Sequence, residues 1–242
     1  MKSEWRQQRD FPATRVSIIS ALADTDAETR RAAADLLARA YWGPIAARLR
    51  TRWHLEPADA EDLTQEFFAD ALAKDWLVRY DPSRARFRTF LRTCLDRFAA
   101  NALQASRRLK RGGSVVMVAL DDVDAVQAAD DADADALFRQ EWVRSVFSLA
   151  LDALRADAAA SGKSTHVQLF EAYDVLDVPD GARPSYRALG AQFGLTETAV
   201  TNHLAWARRA FRKHVLDVLR ALAGNDAEYR EDAQELLGVR PK

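Results

Sequence analysis

Residues 81–113 read DPSRARFRTFLRTCLDRFAANALQASRRLKRGG, and their apolar side chains recur at helical spacing. If the segment is a helix, one apolar face packs against other helices. That face consists of Phe87, Phe90, Leu91, Cys94, Leu95, Phe98 and Ala102. A polar stripe borders it at intervals of four, three and four residues, and consists of Arg97, Asn101, Gln104 and Arg108. The stripe predicts either a surface that reads an anionic partner or an ordinary helix with solvated arginines.

The end of the same segment is strongly basic. Two glycines, Gly112 and Gly113, are expected to stop the helix. The cations that precede them are Arg107, Arg108, Lys110 and Arg111. From Arg86 onward only Asp96 opposes this positive charge.

The composition bounds the class of protein. With 242 residues and 48% apolar content, the chain can bury one sizeable core or two modest ones. We find neither a run of about 18 apolar residues nor a signal-peptide core after the charges of the N-terminus, and we expect a cytoplasmic protein without a membrane partner. The single cysteine, Cys94, is expected to be a buried, reduced thiol. The four histidines lack metal-ligand spacing, so neither a metal nor a cofactor is expected.

The net charge of −1 hides a segregation of charge along the chain. Residues 121–135 contain seven aspartates and neither lysine nor arginine, whereas the flanking segments are basic. We therefore predict an all-α protein in which an acidic linker, residues 114–136, joins two small helical bundles.

The first predicted module spans residues 11–113. Residues 27–40 form a helix, Gly43 and Pro44 break or kink it, and residues 45–53 resume it. Asp59 is the expected N-cap of the next helix, whose buried side consists of Leu63, Phe67, Leu72 and Leu77. Its outer face carries Asp62, Gln65, Glu66 and Asp70. Such a face is usually solvated, and the alternative is a docking surface for a basic partner.

The second predicted module spans residues 137–223. Ser185 can cap a short helix, Gly194 permits a turn, and Thr196 can cap a second helix. This arrangement is typical of a helix-turn-helix, although ordinary bundles share it. The exposed face of the second helix is expected to carry Thr198, Thr201, Asn202, Arg209 and Arg212, flanked by Arg208 and Lys213. The remaining residues, 224–242, are predicted to form a short C-terminal helix whose candidate role is to cover the helix-turn-helix.

Taken together, these segments resemble a bacterial RNA polymerase sigma factor of the extracytoplasmic-function type of the sigma-70 family. The resemblance covers nearly the whole chain. DAEDLTQEFF is similar to the family's helix that docks on the clamp helices of the polymerase. Residues 81–113 resemble the promoter-melting helix, and SYRALGAQFGLTETAVTNHLAWARRAFR resembles the module that reads the upstream promoter element.

The resemblance implies a role for each group of residues. Core polymerase would contact Asp59, Glu61, Asp62, Gln65 and Glu66. The −10 element would contact Arg97, Asn101, Gln104, Arg107, Arg108, Lys110 and Arg111, with Asn101 reading a flipped base. The −35 element would contact Glu197, Thr198, Thr201, Asn202, His203, Arg208, Arg209, Arg212 and Lys213. The acidic linker would thread the RNA exit channel, and an anti-sigma factor or another regulatory protein is a further candidate partner.

Three positions depart from the family's pattern. Ala102 stands where many relatives carry an aromatic residue, and Thr201 and Trp206 stand where relatives often carry a basic one. Fewer charges weaken the attraction to phosphates, so we expect the free chain to bind DNA poorly and to need the polymerase.

Two other classes of function compete with this interpretation. A stand-alone helix-turn-helix regulator would bind duplex DNA tightly by itself and would not need Asp62 and Glu66. An enzyme would need a phosphate-binding glycine loop, a nucleophile paired with histidine, or a metal cluster, and the sequence has none of these patterns. We therefore expect a protein that is not an enzyme.

Overall fold

The computed structural model describes residues 18–74, 76–111, 128–176 and 183–241. Every regular element within these ranges is helical, which confirms the predicted all-α class. The helices are α1 (Ile18–Leu22), α2 (Ala27–Arg52), α3 (Pro57–Ala73), a 3-10 helix (Trp76–Arg79), α4 (Phe87–Arg111), α5 (Ala128–Ala160), α6 (Ser164–Phe170), a π-helical turn (Glu171–Val175), α7 (Tyr186–Phe193), α8 (Glu197–Leu222) and α9 (Asp226–Leu237). The predicted N-terminal arm and residues 112–127 of the predicted linker lie outside the described residues.

The described residues divide into two compact units whose boundaries differ from the predicted modules. One unit takes in the residues up to Ser145 together with those from Arg220 onward, and the other is Val146–Leu219. Helices α5 and α8 therefore contribute to both units. Residues 137–145 and 220–223, the two ends of the predicted second module, belong to the first unit, and so does the C-terminal extension.

The first unit has an aromatic core between α2, α3 and α4. Tyr41 of α2 lies edge-on to Phe87 of α4, with ring centroids 5.6 Å apart. Phe67 of α3 contacts Phe98 of α4 in the same way, at 5.6 Å. Helix α2 continues through Pro44, so Gly43 and Pro44 do not break it, which was one of the two predicted outcomes. Buried apolar residues on both sides of the proline hold the helix together.

The start of α3 also differs from the prediction. Pro57 is the first helical residue and Glu56 occupies the N-cap position without a side-chain cap bond. Asp59, the predicted N-cap, lies in the first turn instead. Proline is favoured at this position because its missing N–H would have no intrahelical partner and its φ already fits a helix.

Helix α5 begins inside the predicted linker. Ala134 and Phe138 are fully or almost fully buried, and Phe138 packs against Tyr41 with ring centroids 6.4 Å apart. Asp135 accepts a hydrogen bond from Arg48 at 2.5 Å and pairs with Arg92 at 2.5 Å. The last part of the linker therefore belongs to the first unit, because its apolar residues and its carboxylate both find partners there.

The second unit is built around a continuous apolar cluster. Its buried residues come from α5, α6, α7 and α8, and they are Leu154, Ala158, Val167, Leu169, Phe170, Leu189, Val200, Leu204 and Ala207. Helix α8 contributes Val200, Leu204 and Ala207 to this cluster, and Phe211 packs against it while partly buried. Helix α5 ends before Gly162, whose positive φ of 68° suits glycine.

Among the described residues, no helix combines the length and apolar character needed to cross a bilayer.

Candidate functional site

The polar stripe of α4 lies on the surface of the first unit. Arg97 and Asn101 are exposed and Gln104 is half-buried. Phe87, Leu91 and Leu95 form the buried side of the same helix, as their spacing predicts. The other members of the predicted −10 set, Arg107, Arg108, Lys110 and Arg111, lie on the last turns of α4, and their side chains are outside the described part of the chain.

Cys94 lies beside the stripe and is partly buried. Burial raises the pKa of its thiol to about 11, although Arg97 opposes the shift. The thiol is therefore protonated at neutral pH and is a poor nucleophile.

A tight turn joins α7 to α8 in the second unit. The Ser185 side chain caps α7 by accepting a hydrogen bond from the Ala188 N–H, and Thr196 caps α8 by accepting one from the Ala199 N–H. Gly194 ends α7 with a φ of 67°. The carbonyl of Gly190 accepts hydrogen bonds from the N–H groups of Gly194 and Leu195, the latter at 2.8 Å. These contacts satisfy the end of α7 and fix the direction in which α8 leaves.

Gly190 permits a close approach of the two backbone segments. A Cβ atom at this position would lie 2.6 Å from the carbonyl oxygen of Leu195. Because that oxygen belongs to the backbone, a side chain cannot simply rotate away to make room. The geometry of the turn therefore requires glycine here.

The beginning of α8 exposes small polar side chains. Glu197, Thr198, Thr201 and Asn202 are all exposed, and so are Arg209 and Arg212 farther along the helix. Small polar groups at the start of a helix with arginines beyond them match what a major-groove reader needs.

His203 does not share this exposed face, contrary to the prediction. Its ring is half-buried and stacks on His166 of α6, with ring centroids 3.8 Å apart. Trp206 lies edge-on to His166, and the Lys163 ammonium lies 4.7 Å from the centre of the Trp206 ring. Burial lowers the pKa of His166, and His203 and Lys163 add to the effect. His203 was expected to face DNA, but its ring packs α8 against α6 by stacking on His166.

Arg208 and Lys213 each have an acidic partner. Arg208 donates two hydrogen bonds to the carboxylate of Asp174, at 2.8 and 3.0 Å, and its pKa is raised chiefly by that pair. Lys213 pairs with Asp217 one turn along α8, at 3.0 Å. Arg209 and Arg212 are therefore better placed than Arg208 to meet phosphates.

The outer face of α3 combines carboxylates with apolar groups. Its predicted polymerase-binding residues are all exposed, namely Asp59, Glu61, Asp62, Gln65 and Glu66. Leu72, predicted to be buried, is 40% exposed, and Trp42 of α2 is 38% exposed. The Trp42 ring stacks on Phe68 of α3, with centroids 5.8 Å apart and planes 4° apart.

Sequence reasoning missed this apolar part of the α3 surface. Leu72 follows Gln65 by seven residues, which returns it to the same side of the helix, so the spacing contained the signal. No pattern in the sequence indicated that Trp42 reaches the surface beside Phe68.

The C-terminal helix α9 packs on the start of α4. Asp232 accepts two hydrogen bonds from Arg88, both at 2.8 Å, and both side chains are almost completely buried. Glu228 accepts hydrogen bonds from the N–H groups of Gly224 at 2.9 Å and Phe87 at 3.4 Å. The partners of its carboxylates lie in the first unit, and the coverage of the helix-turn-helix by this helix stays a prediction.

Within residues 18–74, 76–111, 128–176 and 183–241, no group of three His, Cys, Asp or Glu side chains is placed to hold a metal ion. Comparisons with protein-family models, curated proteins and solved structures find no match to the chain. The function must therefore be inferred from the surfaces described above.

Proposed function

We propose that the chain is a sigma factor that binds core RNA polymerase, directs it to promoters and helps to open the DNA. The observation that carries the proposal is that the first unit exposes two unlike surfaces on neighbouring helices. The α3 surface is anionic with an apolar edge, whereas the α4 stripe is polar and cationic. One surface suits a protein partner and the other suits nucleic acid.

The α3 surface has the mixture expected of a docking site. An exposed tryptophan and leucine, Trp42 and Leu72, provide apolar area, and the carboxylates of Asp62 and Glu66 provide charge that selects a basic partner. A face that is merely solvated has no need of the two large apolar side chains. This surface is proposed to bind the polymerase.

The α4 stripe is proposed to hold the opened −10 element. Strand separation requires that bases leave the stack and that polar groups and cations hold the released strand. Asn101 and Gln104 offer amide groups able to pair with a base edge, and Arg97 offers a cation beside them. Ala102 provides no stacking surface, so the hydrogen bonds of Asn101 carry more of the recognition.

Helices α7 and α8 are proposed to form a helix-turn-helix that reads the −35 element. The glycine-dependent turn and the exposed start of α8 support this assignment. In this arrangement Thr198, Thr201 and Asn202 meet base edges, and Arg209 and Arg212 meet phosphates. The second unit would then be the upstream-reading module, and its DNA surface alone would equally serve a stand-alone regulator.

A charge reversal on α3 separates these two candidate functions. Replacing Asp62 and Glu66 with lysine is expected to abolish capture of core polymerase, while leaving duplex DNA binding at least as strong. The control is Glu28→Lys with Asp35→Lys, two exposed acids of α2 that give the same change in charge. Full retention of the polymerase by the α3 variant would contradict the proposal and favour the stand-alone regulator.

The −35 assignment is tested by the salt dependence of promoter binding. Removing Arg209 and Arg212 by alanine substitution is expected to flatten the slope of log K against log salt by about 1.8, because two phosphate contacts are lost. Arg84→Ala with Arg144→Ala changes the charge equally in the first unit and serves as the control. An unchanged slope in the first variant would remove α8 from the DNA interface.

A further inference from the structure

The start of α4 carries a second basic surface, which is distinct from the polar stripe. A cleft of about 300 Å³ in the first unit is lined by residues that include Arg86, Arg88, Arg92 and Arg139, with Asp135 as its acid. Arg88 and Arg97 are nine residues apart, or about two and a half helical turns, so the two cationic surfaces lie on opposite sides of α4. The side chains of Arg86, Arg92 and Arg139 are 44%, 27% and 40% exposed, and guanidinium groups are suited to phosphates, whereas Arg88 is buried.

Helix α9 covers this surface with carboxylates. Glu231 pairs with Arg86, Asp232 with Arg88, and Glu235 with Arg139. Glu228 lies one turn before Asp232 and accepts from the N-terminal N–H of α4, where a helix favours an anion. The acidic side chains that face α4 therefore recur at the spacing of a single helix face.

The charge density of that face is close to that of a nucleic-acid strand. Residues 228 to 235 span about 10 Å of helix axis and carry four carboxylates. One DNA strand carries one phosphate per about 3.4 Å of axis, or about three over the same length. Helix α9 thus presents to the arginines about as many negative charges per unit length as a short strand of DNA would.

Charged groups contribute to the attachment of α9 beside apolar ones. Four residues of this helix are buried, and two of them, Glu228 and Asp232, are carboxylates. The others are Tyr229 and Ala233, and Leu236 and Leu237 are half-buried. Glu231 and Glu235 are 56% and 45% exposed, and pairs with such partners contribute little and are screened by salt.

We propose that the basic surface at the start of α4 is a second binding site for the phosphates of a DNA strand, and that α9 is a built-in mimic of that strand which occupies the site until DNA displaces it. The inference rests on the proposed function only for the choice of DNA as the polyanion. It gives the C-terminal helix a role in limiting DNA binding by the free chain.

The experiment uses the full-length chain and a 20-nucleotide single-stranded DNA of random sequence, without polymerase. Glu231→Gln with Glu235→Gln removes two exposed carboxylates that compete with DNA phosphates for Arg86 and Arg139, and it leaves the buried pair of Arg88 and Asp232 in place. This variant is expected to raise the affinity of the chain for the DNA about 3–10-fold. Two additional phosphate contacts should make the salt slope steeper by about 1.4. The control, Glu28→Gln with Asp35→Asn, changes the charge equally on α2 and should leave both values near those of the unmodified chain.

Two further measurements test displacement itself. Hydrogen exchange of amides 226–237 in the unmodified chain should accelerate when the DNA is added, but not when KCl alone brings the ionic strength to the same value. Adding Arg86→Ala and Arg139→Ala to the Glu231→Gln, Glu235→Gln variant should remove its gain in affinity.

Two results would overturn the inference. One is an equal affinity for DNA in the Glu231→Gln, Glu235→Gln variant and in the control. The other is full protection of the α9 amides from hydrogen exchange at saturating DNA. These failures are distinct from a failure of the proposed function. A chain that joins the polymerase but keeps α9 protected contradicts only the mimic, whereas a chain that releases α9 on DNA but never joins the polymerase contradicts only the sigma-factor assignment.

Discussion

The most consequential single contact in the first unit is the ion pair of Arg88 and Asp232. The Arg88 guanidinium also lies 3.9 Å from the centre of the Trp142 ring. Burial by itself would lower the pKa of Arg88, but the hydrogen bonds and charge of Asp232 outweigh that effect and raise it. The arginine therefore stays charged, and the stability of the unit depends on an anionic group that pairs with it, which is Asp232 in the free chain.

Asp232→Ala is expected to lower the free energy of unfolding by about 3–5 kcal/mol, because it leaves a buried cation without its partner. Asp226→Ala removes a carboxylate that is 70% exposed and pairs with Arg220, and should cost less than about 1 kcal/mol. Urea denaturation of both variants measures the difference. An equal decrease in the free energy of unfolding of the two variants would mean that the buried ion pair contributes no more to stability than the exposed one.

His166 gives the second unit a dependence on pH. Its folded pKa lies below the ordinary value of 6.5, so the folded state binds the proton less tightly than the unfolded state does. Its contribution to stability is therefore complete above the unfolded pKa and is lost as the pH falls through 6.5 towards the lower folded pKa.

Replacing His166 with phenylalanine keeps a ring against His203 and removes the titration. The variant is expected to lose less stability than the unmodified chain between pH 7.5 and 5.5, as followed by urea denaturation. His54→Asn, at an exposed histidine, is the control and should keep the original profile. If His166→Phe keeps that profile too, the stacked pair does not cause the pH dependence.

At the scale of elements, the turn between α7 and α8 depends on Gly190. Gly190→Ala would place a Cβ atom against a backbone oxygen and should cost about 1–3 kcal/mol. Gly43 is a matched control in the interior of α2, where the nearest atoms to an added Cβ are side-chain oxygens at 3.8 and 3.9 Å. Gly43→Ala should be neutral or stabilising by about 0.5–1 kcal/mol, since alanine favours helix.

Thermal unfolding monitored by circular dichroism compares the two glycine variants. The unfolding temperature is expected to fall in Gly190→Ala and to stay the same or rise in Gly43→Ala. A Gly190→Ala chain as stable as the Gly43→Ala chain would show that the turn adapts, and the case for a fixed orientation of α8 would fail.

Local signals account for the elements that the sequence predicts well. The side chains of Ser185 and Thr196 form the predicted caps, and Gly194 has the predicted role in the turn, because each acts on backbone groups within three residues of itself. The apolar face of α4 also follows from spacing alone. Asp59 was misassigned since Pro57 starts the helix earlier.

Contacts between distant residues account for what the sequence does not predict. His203 was expected to face DNA, but its ring is taken up by His166 of another helix. Trp42 of α2 stacks on Phe68 of α3 at the surface, and no spacing within either helix indicated that contact. Propensity and spacing contain no information about which distant partner a side chain finds.

At the scale of the whole molecule, the same cause explains the shifted module boundaries. The acidic segment before α5 was predicted to be linker, but Asp135 neutralises Arg48 and Arg92. The carboxylates of the C-terminal helix pair with arginines of α4 and α5 in the first unit. Arg48 and Asp135 are 87 residues apart and Arg88 and Asp232 are 144 apart, so charge complementarity between distant residues decides both outcomes.

In the proposed function, Asn101 of the α4 stripe reads a flipped base when the DNA opens. Asn101→Ala removes an exposed amide from the α4 stripe, so it should leave polymerase capture unchanged and reduce open-complex formation at least about tenfold, the value of one or two lost hydrogen bonds. Permanganate reactivity of unpaired thymines at a cognate promoter measures the opening. Gln140→Ala, at an exposed residue of α5, is the control and should open the promoter normally.

Transcription by core RNA polymerase with the purified full-length chain, on genomic DNA, provides the decisive observation when the 5′ ends of the transcripts are mapped. A sigma factor is expected to produce new start sites that share one pair of upstream motifs, and these starts should disappear with the Asp62→Lys, Glu66→Lys variant. Start sites identical to those of core polymerase alone, together with no capture of the chain by the polymerase, would contradict the assignment.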